Sequence, residues 1–248
     1  LLLLGSALAT GIWFNNSPEA LDVTISPEQQ ELIANHEFEQ YYSSQGAGQF
    51  AAQVQTNNIQ VSLLALAGGA TAGTLTVAVL LSNGFSLGAL GALMHQNDAA
   101  GTFWGLILPH GLLEISAIIV AGAVGLKLGW AILAPGEDRS RTEAITSEAR
   151  NGVTIVVGLA IWFVVAGFIE ALVTPSGLPA AVRILIGVLA LAAAVLHVLA
   201  FGPAALAQAR SDDATDPWES ERADLARADK LTSGIVAGTP APTAPRAP

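Results

Sequence analysis

Cysteine is absent from this chain of 248 residues, and no lysine or arginine occurs anywhere in residues 1–126. The first absence excludes disulfides and thiolate metal sites. The second, with a formal charge of −10, excludes nucleic acid as a partner, because a phosphate backbone requires a basic face. Charge of either sign is scarce. Only 12% of residues are charged, about half of the roughly 25% that an ordinary soluble domain carries. What fills the chain instead is apolar: 52% of residues are hydrophobic and the mean hydropathy is +0.54. The expected surroundings are a lipid bilayer, and the expected fold class is all-α: a polytopic transmembrane helix bundle of about six spans.

Five apolar runs follow an initial one, at about 58–82, 84–109, 110–134, 151–173 and 183–207. Each matches the roughly 20 residues that cross a hydrocarbon core of about 30 Å at a rise of about 1.5 Å per residue. The chain opens Leu1-Leu2-Leu3-Leu4 without a methionine, and residues 1–14 are too few for a full span. They read as a fragment cut inside a first transmembrane helix; a signal-peptide core is the other reading. Residues 1–207 are the expected membrane domain, and 208–248 an acidic, Pro/Ala-rich cytoplasmic tail, mostly disordered, with a short charged helix expected over 217–231 and disorder from Thr239 onward.

Orientation follows from the basic residues. The 15–57 loop carries Glu19, Asp22, Glu28, Glu31, Glu37 and Glu39, whereas Arg139, Arg141 and Arg150 cluster in the 135–150 loop and most of the rest lie in the tail. By the positive-inside rule the first loop is external and the other two segments are cytoplasmic. Lys127 and Trp130 suit the inner interface, and Trp13 the outer. Within the external loop, Ser26-Pro27-Glu28-Gln29 carries an N-cap, a first-turn proline and a capping-box residue, which predicts a helix running to about Tyr42.

The 84–109 segment is the awkward one. Its two apolar halves flank His95-Gln96-Asn97-Asp98, and each is too short to cross. A short helix followed by a re-entrant segment ending at Pro109 is expected; the alternatives are one pass with a polar break, or an ordinary loop between two helices. Small residues recur at helical spacing in Gly84, Gly88 and Ala92, in Gly69 and Gly73, and in Ala121, Gly125 and Gly129. Such stripes let helix backbones approach closely. Tight packing within the bundle is their expected use, and a homo-oligomer contact the other.

Ionisable residues inside apolar spans are expensive and mark polar interiors. His110 and Glu114 are four residues apart and share a face of a helix expected to start near Pro109. Glu170 lies at the outer end of the fifth run, and Asn57 and Asn58 open the second at the same expected level. A layer built from these five residues has three readings. It is a register-fixing polar network with His110 bonded to Glu114, a proton or ion pathway, or a metal site. The last needs three protein ligands, and no His-Glu-x-x-His signature occurs. His197, alone in the last run, is expected to be a satisfied core histidine.

Asn57-Asn58, Ser82-Asn83-Gly84, Leu108-Pro109-His110-Gly111 with Glu114, Ala121-Gly122, Gly125-Leu126, Ile169-Glu170 and Thr174-Pro175 occur in that order. Together they resemble the stage II sporulation protein M family of bacterial integral membrane proteins, over about residues 1–207. The family usually has a cytoplasmic stretch before the first span, which is missing here. The resemblance implies a non-enzymatic membrane component without a cofactor. Founding members act with peptidoglycan-degrading partners that thin septal wall, as the membrane anchor of that complex. It brings no catalytic residues with it, and the sporulation role does not transfer automatically. A scaffold for an envelope-remodelling complex is therefore the expected function. A small ion or solute transporter using the His/Glu layer is the alternative, and a metal-dependent intramembrane hydrolase the second alternative.

Overall fold

The computed structural model describes residues 1–33, 47–136 and 140–214. Among them every regular element is helical. The elements are α1 (Leu2–Asn16), α2 (Pro18–Thr24), α3 (Pro27–Leu32), α4 (Ala47–Ala67), a 3₁₀ turn (Gly68–Thr71), α5 (Thr74–Gln96), α6 (Ala100–Leu133), α7 (Arg141–Phe168), a π-helical turn (Ile169–Val173) and α8 (Ala180–Ala214). Among the described residues four segments are long and apolar enough to cross a membrane: Thr74–Gln96, Ala100–Leu133, Arg141–Val173 and Ala180–Ala204. The chain falls into two compact units, Leu1–Ala194 and Val195–Pro248. Among the described residues, the buried core and the buried polar side chains belong to the first.

Helix α6 is the hub. Its Ala117 and Ala121 pack with Leu159 and Phe163 of α7, and Ile59 and Leu66 of α4 close over the same cluster. On another face Ile118 meets Leu80 of α5 and Leu3 of α1. The outward flank of α7 carries the exposed residues Val157, Ile161, Val164 and Phe168. That is the pattern of a helix with lipid on one side and protein on the other.

Two small-residue stripes act as grooves. Helix α1 runs parallel to α5, with its backbone pressed onto Gly84 and Gly88; a Cβ at Gly88 would collide with the Ala7 carbonyl and lie 2.9 Å from the Gly11 nitrogen. On α6, a Cβ at Gly125 would meet Ala65 of α4 and lie 2.8 Å from the Thr76 hydroxyl, while one at Gly129 would strike the turn at Ala72–Gly73. The Thr76 hydroxyl itself donates to the Ala65 carbonyl at 2.7 Å, stitching α4 to α5.

The run expected at 58–82 is not one helix. It is cut between α4 and α5, where Ala72 (φ 53°) and Gly73 (φ 83°) adopt left-handed backbone. Hydropathy cannot see this break, because glycine and alanine keep the run apolar while the chain reverses. Conversely, Ser82-Asn83 does not end a helix. Ser82 Oγ and Asn83 Nδ2 both donate to the Val79 carbonyl, at 3.1 and 2.8 Å, so these donors are engaged on their own helix.

The re-entrant segment expected to end at Pro109 is also absent. Residues 97–99 form an ordinary loop, and α6 runs unbroken through Pro109 instead of starting there. Proline within a helix leaves the carbonyl four residues back, that of Gly105, without its usual donor. A packed membrane bundle tolerates this because neighbouring groups can serve the freed backbone.

The Ser26 cap is present, accepting from the Gln29 nitrogen at 3.4 Å; the expected end of that helix near Tyr42 lies outside the described residues. So do the 217–231 helix and the Pro/Ala-rich tail. Ser140 and Glu143 form a capping box at the start of α7. Lys127 pairs with Glu148 at 2.7 Å with its side chain still 64% exposed, and Trp13 and Trp130 are both exposed.

Candidate functional site

The polar centre is assembled from four elements. Helix α6 contributes His110 and Glu114, one turn apart and buried. The wide π-helical turn after α7 contributes Glu170, and Thr174 follows it directly. Such a turn rotates the chain relative to an α-helix and recurs at functional positions. Here it sends Glu170 inward while Phe168 and Leu172, two residues to either side, stay exposed. Helix α4 contributes Asn58, and α8 contributes Arg183.

His110, Glu114, Glu170 and Thr174 are each at most 2% exposed. His110 Nδ1 contacts the Glu170 carboxylate and lies 3.3 Å from Thr174 Oγ1. The Thr174 backbone is held in turn: its nitrogen donates to the Ile169 carbonyl at 3.0 Å, and its own carbonyl accepts from Arg183 Nη1 at 2.5 Å. Asn58 Nδ2 donates to Glu114 Oε2. Glu114 Oε1 has no hydrogen-bond partner among the described residues.

Two pairs therefore replace the single expected one. His110 and Glu114 share a helix face and line one cavity, but His110 contacts the Glu170 carboxylate and Thr174, and Glu114 accepts from Asn58. Asn57 lies on the exposed side of α4, outside the cluster. His197, in the second unit, is exposed rather than a core residue, with its ring 4.9 Å from that of Phe201.

Sequence reasoning does not pick out Thr174 or Arg183 as site residues. Arg183 has a legible signal: it is the sole cation at the expected outer end of any span. Helix α8 reaches the cluster through Gly187, where a Cβ would collide with the Pro109 carbonyl.

A cavity of about 220 Å³ opens beside Glu114, with Asn58, Asn83 and His110 as its other polar walls and Leu3, Leu87 and Ile107 among its apolar ones. A second, of about 230 Å³ between α4 and α7, is almost wholly apolar. Among the described residues no group of three His, Cys, Asp or Glu side chains is placed to hold a metal ion. An intramembrane zinc centre with three such ligands therefore has no support in this geometry.

The stage II sporulation protein M family profile matches residues 1–175. The chain belongs to that family. The match contains His110, Glu114, Glu170 and Thr174 and stops short of α8, whereas the resemblance carried by the motifs is expected to reach about residue 207. An uncharacterized protein of Methanocaldococcus jannaschii is 32% identical over 124 residues, covering 50% of this chain and 70% of the relative. No solved structure gives a significant match. The stretch matched to the stage II sporulation protein M family thus spans both halves of the His110–Glu170 pair, and Arg183 lies beyond it.

Proposed function

We propose that this stage II sporulation protein M family member is a non-catalytic membrane scaffold that anchors an envelope-remodelling complex. The observation that carries this reading is the way the buried polar residues are used. Each contact ties one element to another: α4 to α6 through Asn58 and Glu114, α6 to the π-helical turn through His110 and Glu170, and that turn to α8 through Thr174 and Arg183. Directional bonds of this kind fix helix register where apolar packing alone does not, as lipid tails are as apolar as the helices.

A rigid platform is what a partner-holding protein needs. The partners of this reading are peptidoglycan-remodelling proteins, with the lipid bilayer as the surrounding solvent. The test is photo-crosslinking from the external segment, at Glu19 or Glu28, in the native membrane, followed by identification of the captured proteins. Recovery of peptidoglycan-cleaving enzymes, preserved in His110→Gln, is the expected result. Capture of no envelope protein, or loss of cellular function in His110→Gln with assembly intact, would overturn it.

A further inference from the structure

We propose that the cavity beside Glu114 is a binding site for a monovalent metal cation, sodium or a chemical equivalent. Glu114 is 1% exposed, and only one of its carboxylate oxygens has a partner among the described residues. A buried carboxyl group becomes neutral either by holding a proton or by holding a cation. The walls around Glu114 favour the cation.

Two amides line the same space, and both have their nitrogens engaged. Asn58 Nδ2 donates to Glu114 itself, and Asn83 Nδ2 donates to the Val79 carbonyl at 2.8 Å. An amide whose nitrogen is engaged offers its oxygen, which only accepts. The cavity therefore presents oxygen acceptors: a free carboxylate oxygen and two amide oxygens. Such a lining suits a ligand with positive charge and hard oxygen preference.

The charge count selects the valence. Glu170 is engaged by His110, which leaves Glu114 as the one carboxylate lining the cavity among the described residues. A single negative charge balances a single positive one. Divalent and transition ions draw on more anionic or nitrogen ligands, and the described residues offer no trio of them. Size agrees as well. A volume of about 220 Å³ far exceeds the roughly 10–15 Å³ that one water takes on the same kind of measure, so an ion keeps part of its hydration shell there.

The experiment uses the full chain in lipid nanodiscs. Its melting temperature is followed as sodium chloride replaces N-methylglucamine chloride at constant ionic strength, and binding of radioactive sodium is measured by equilibrium dialysis. The expected result is a saturable rise in melting temperature with sodium, matched by displaceable binding of about one ion per chain. Asn83→Leu, which keeps the carboxyl group, should raise the midpoint at least tenfold, and Glu114→Gln should abolish the response. If Glu114→Gln does not fold, Asn83→Leu with direct binding decides the matter. Equal stabilisation by N-methylglucamine and sodium, an undiminished response in Asn83→Leu, or stabilisation by acid alone with no cation binding would each overturn the proposal.

Discussion

His110 of α6 meets the carboxylate of Glu170, sixty residues further along the chain, inside the wide turn that closes α7. The contact joins the hub helix to the segment leading into α8, and it is fully buried. Breaking one side of it strands the other where water cannot replace the lost partner. Such a loss costs about 1–3 kcal/mol, and more when the stranded group is charged.

A double-mutant cycle measures that coupling. His110→Ala and Glu170→Ala should each destabilise the solubilised protein, and the double variant should lose less than the two singles combined. A coupling of about 0.5–3 kcal/mol is expected for residues in contact. The same holds for Asn58 and Glu114, whereas Asn57→Ala, on the exposed side of α4, should be near neutral. Strict additivity within either pair, read from thermal or denaturant unfolding, would mean that the contact contributes nothing.

The glycine grooves give a sharper contrast. Gly88→Ala places a methyl group against the backbone of α1, while Gly158→Ala meets nothing within 4 Å. Overpacking costs about 1–3 kcal/mol, whereas alanine in an open helical position gains roughly 0.5–1 kcal/mol over glycine. Melting temperatures should move in opposite directions. A drop at both positions would remove groove packing as the reason for the stripe.

Loss of the Ser140 hydroxyl should be felt at the start of α7. Ser140 accepts from the Glu143 nitrogen at 3.3 Å and Glu143 returns a carboxylate to the Ser140 nitrogen at 2.9 Å. Ser140→Ala should cost about 0.5–2 kcal/mol, and Ser140→Asp much less, since aspartate caps equally well. Chemical denaturation of the two variants side by side checks the order.

Orientation is open to single-cysteine labelling, which suits a chain with no native cysteine. Glu19→Cys, on exposed α2, should react with a membrane-impermeant maleimide from outside intact cells. Thr142→Cys, at the exposed start of α7, should react only after permeabilisation. The reverse pattern would invert the assignment made from the arginine clusters.

Much of this molecule is legible in its residues because two signals are strong in a membrane: long apolar runs and the rarity of charge within them. Those signals mark a helical bundle and single out His110, Glu114 and Glu170, which the fold brings around one polar centre. The boundaries are less legible. Ala72 and Gly73 turn the chain without any change in hydropathy, Asn83 bonds a carbonyl of its own helix without ending it, and Pro109 stays inside α6 because packed neighbours permit it. Pairing is not legible at all. Spacing of four residues puts His110 and Glu114 on one face, but which partner each meets depends on how α4 and the end of α7 approach, and that is a tertiary fact.

The wide turn at Ile169–Val173 also gives this chain a place where its length can change. It holds about one residue more per turn than an α-helix does. Deleting one of those residues would restore the ordinary count, and the chain beyond would keep nearly its present direction around the axis, because the missing residue and the tighter winding offset each other. What a shorter turn changes is which of its own side chains faces inward, and so whether a carboxylate still meets His110. Substitutions along the outward side, at Phe168 or Leu172, leave that count untouched. Length and identity therefore act on different things here: the first on the aim of Glu170, the second on the surface turned away from it.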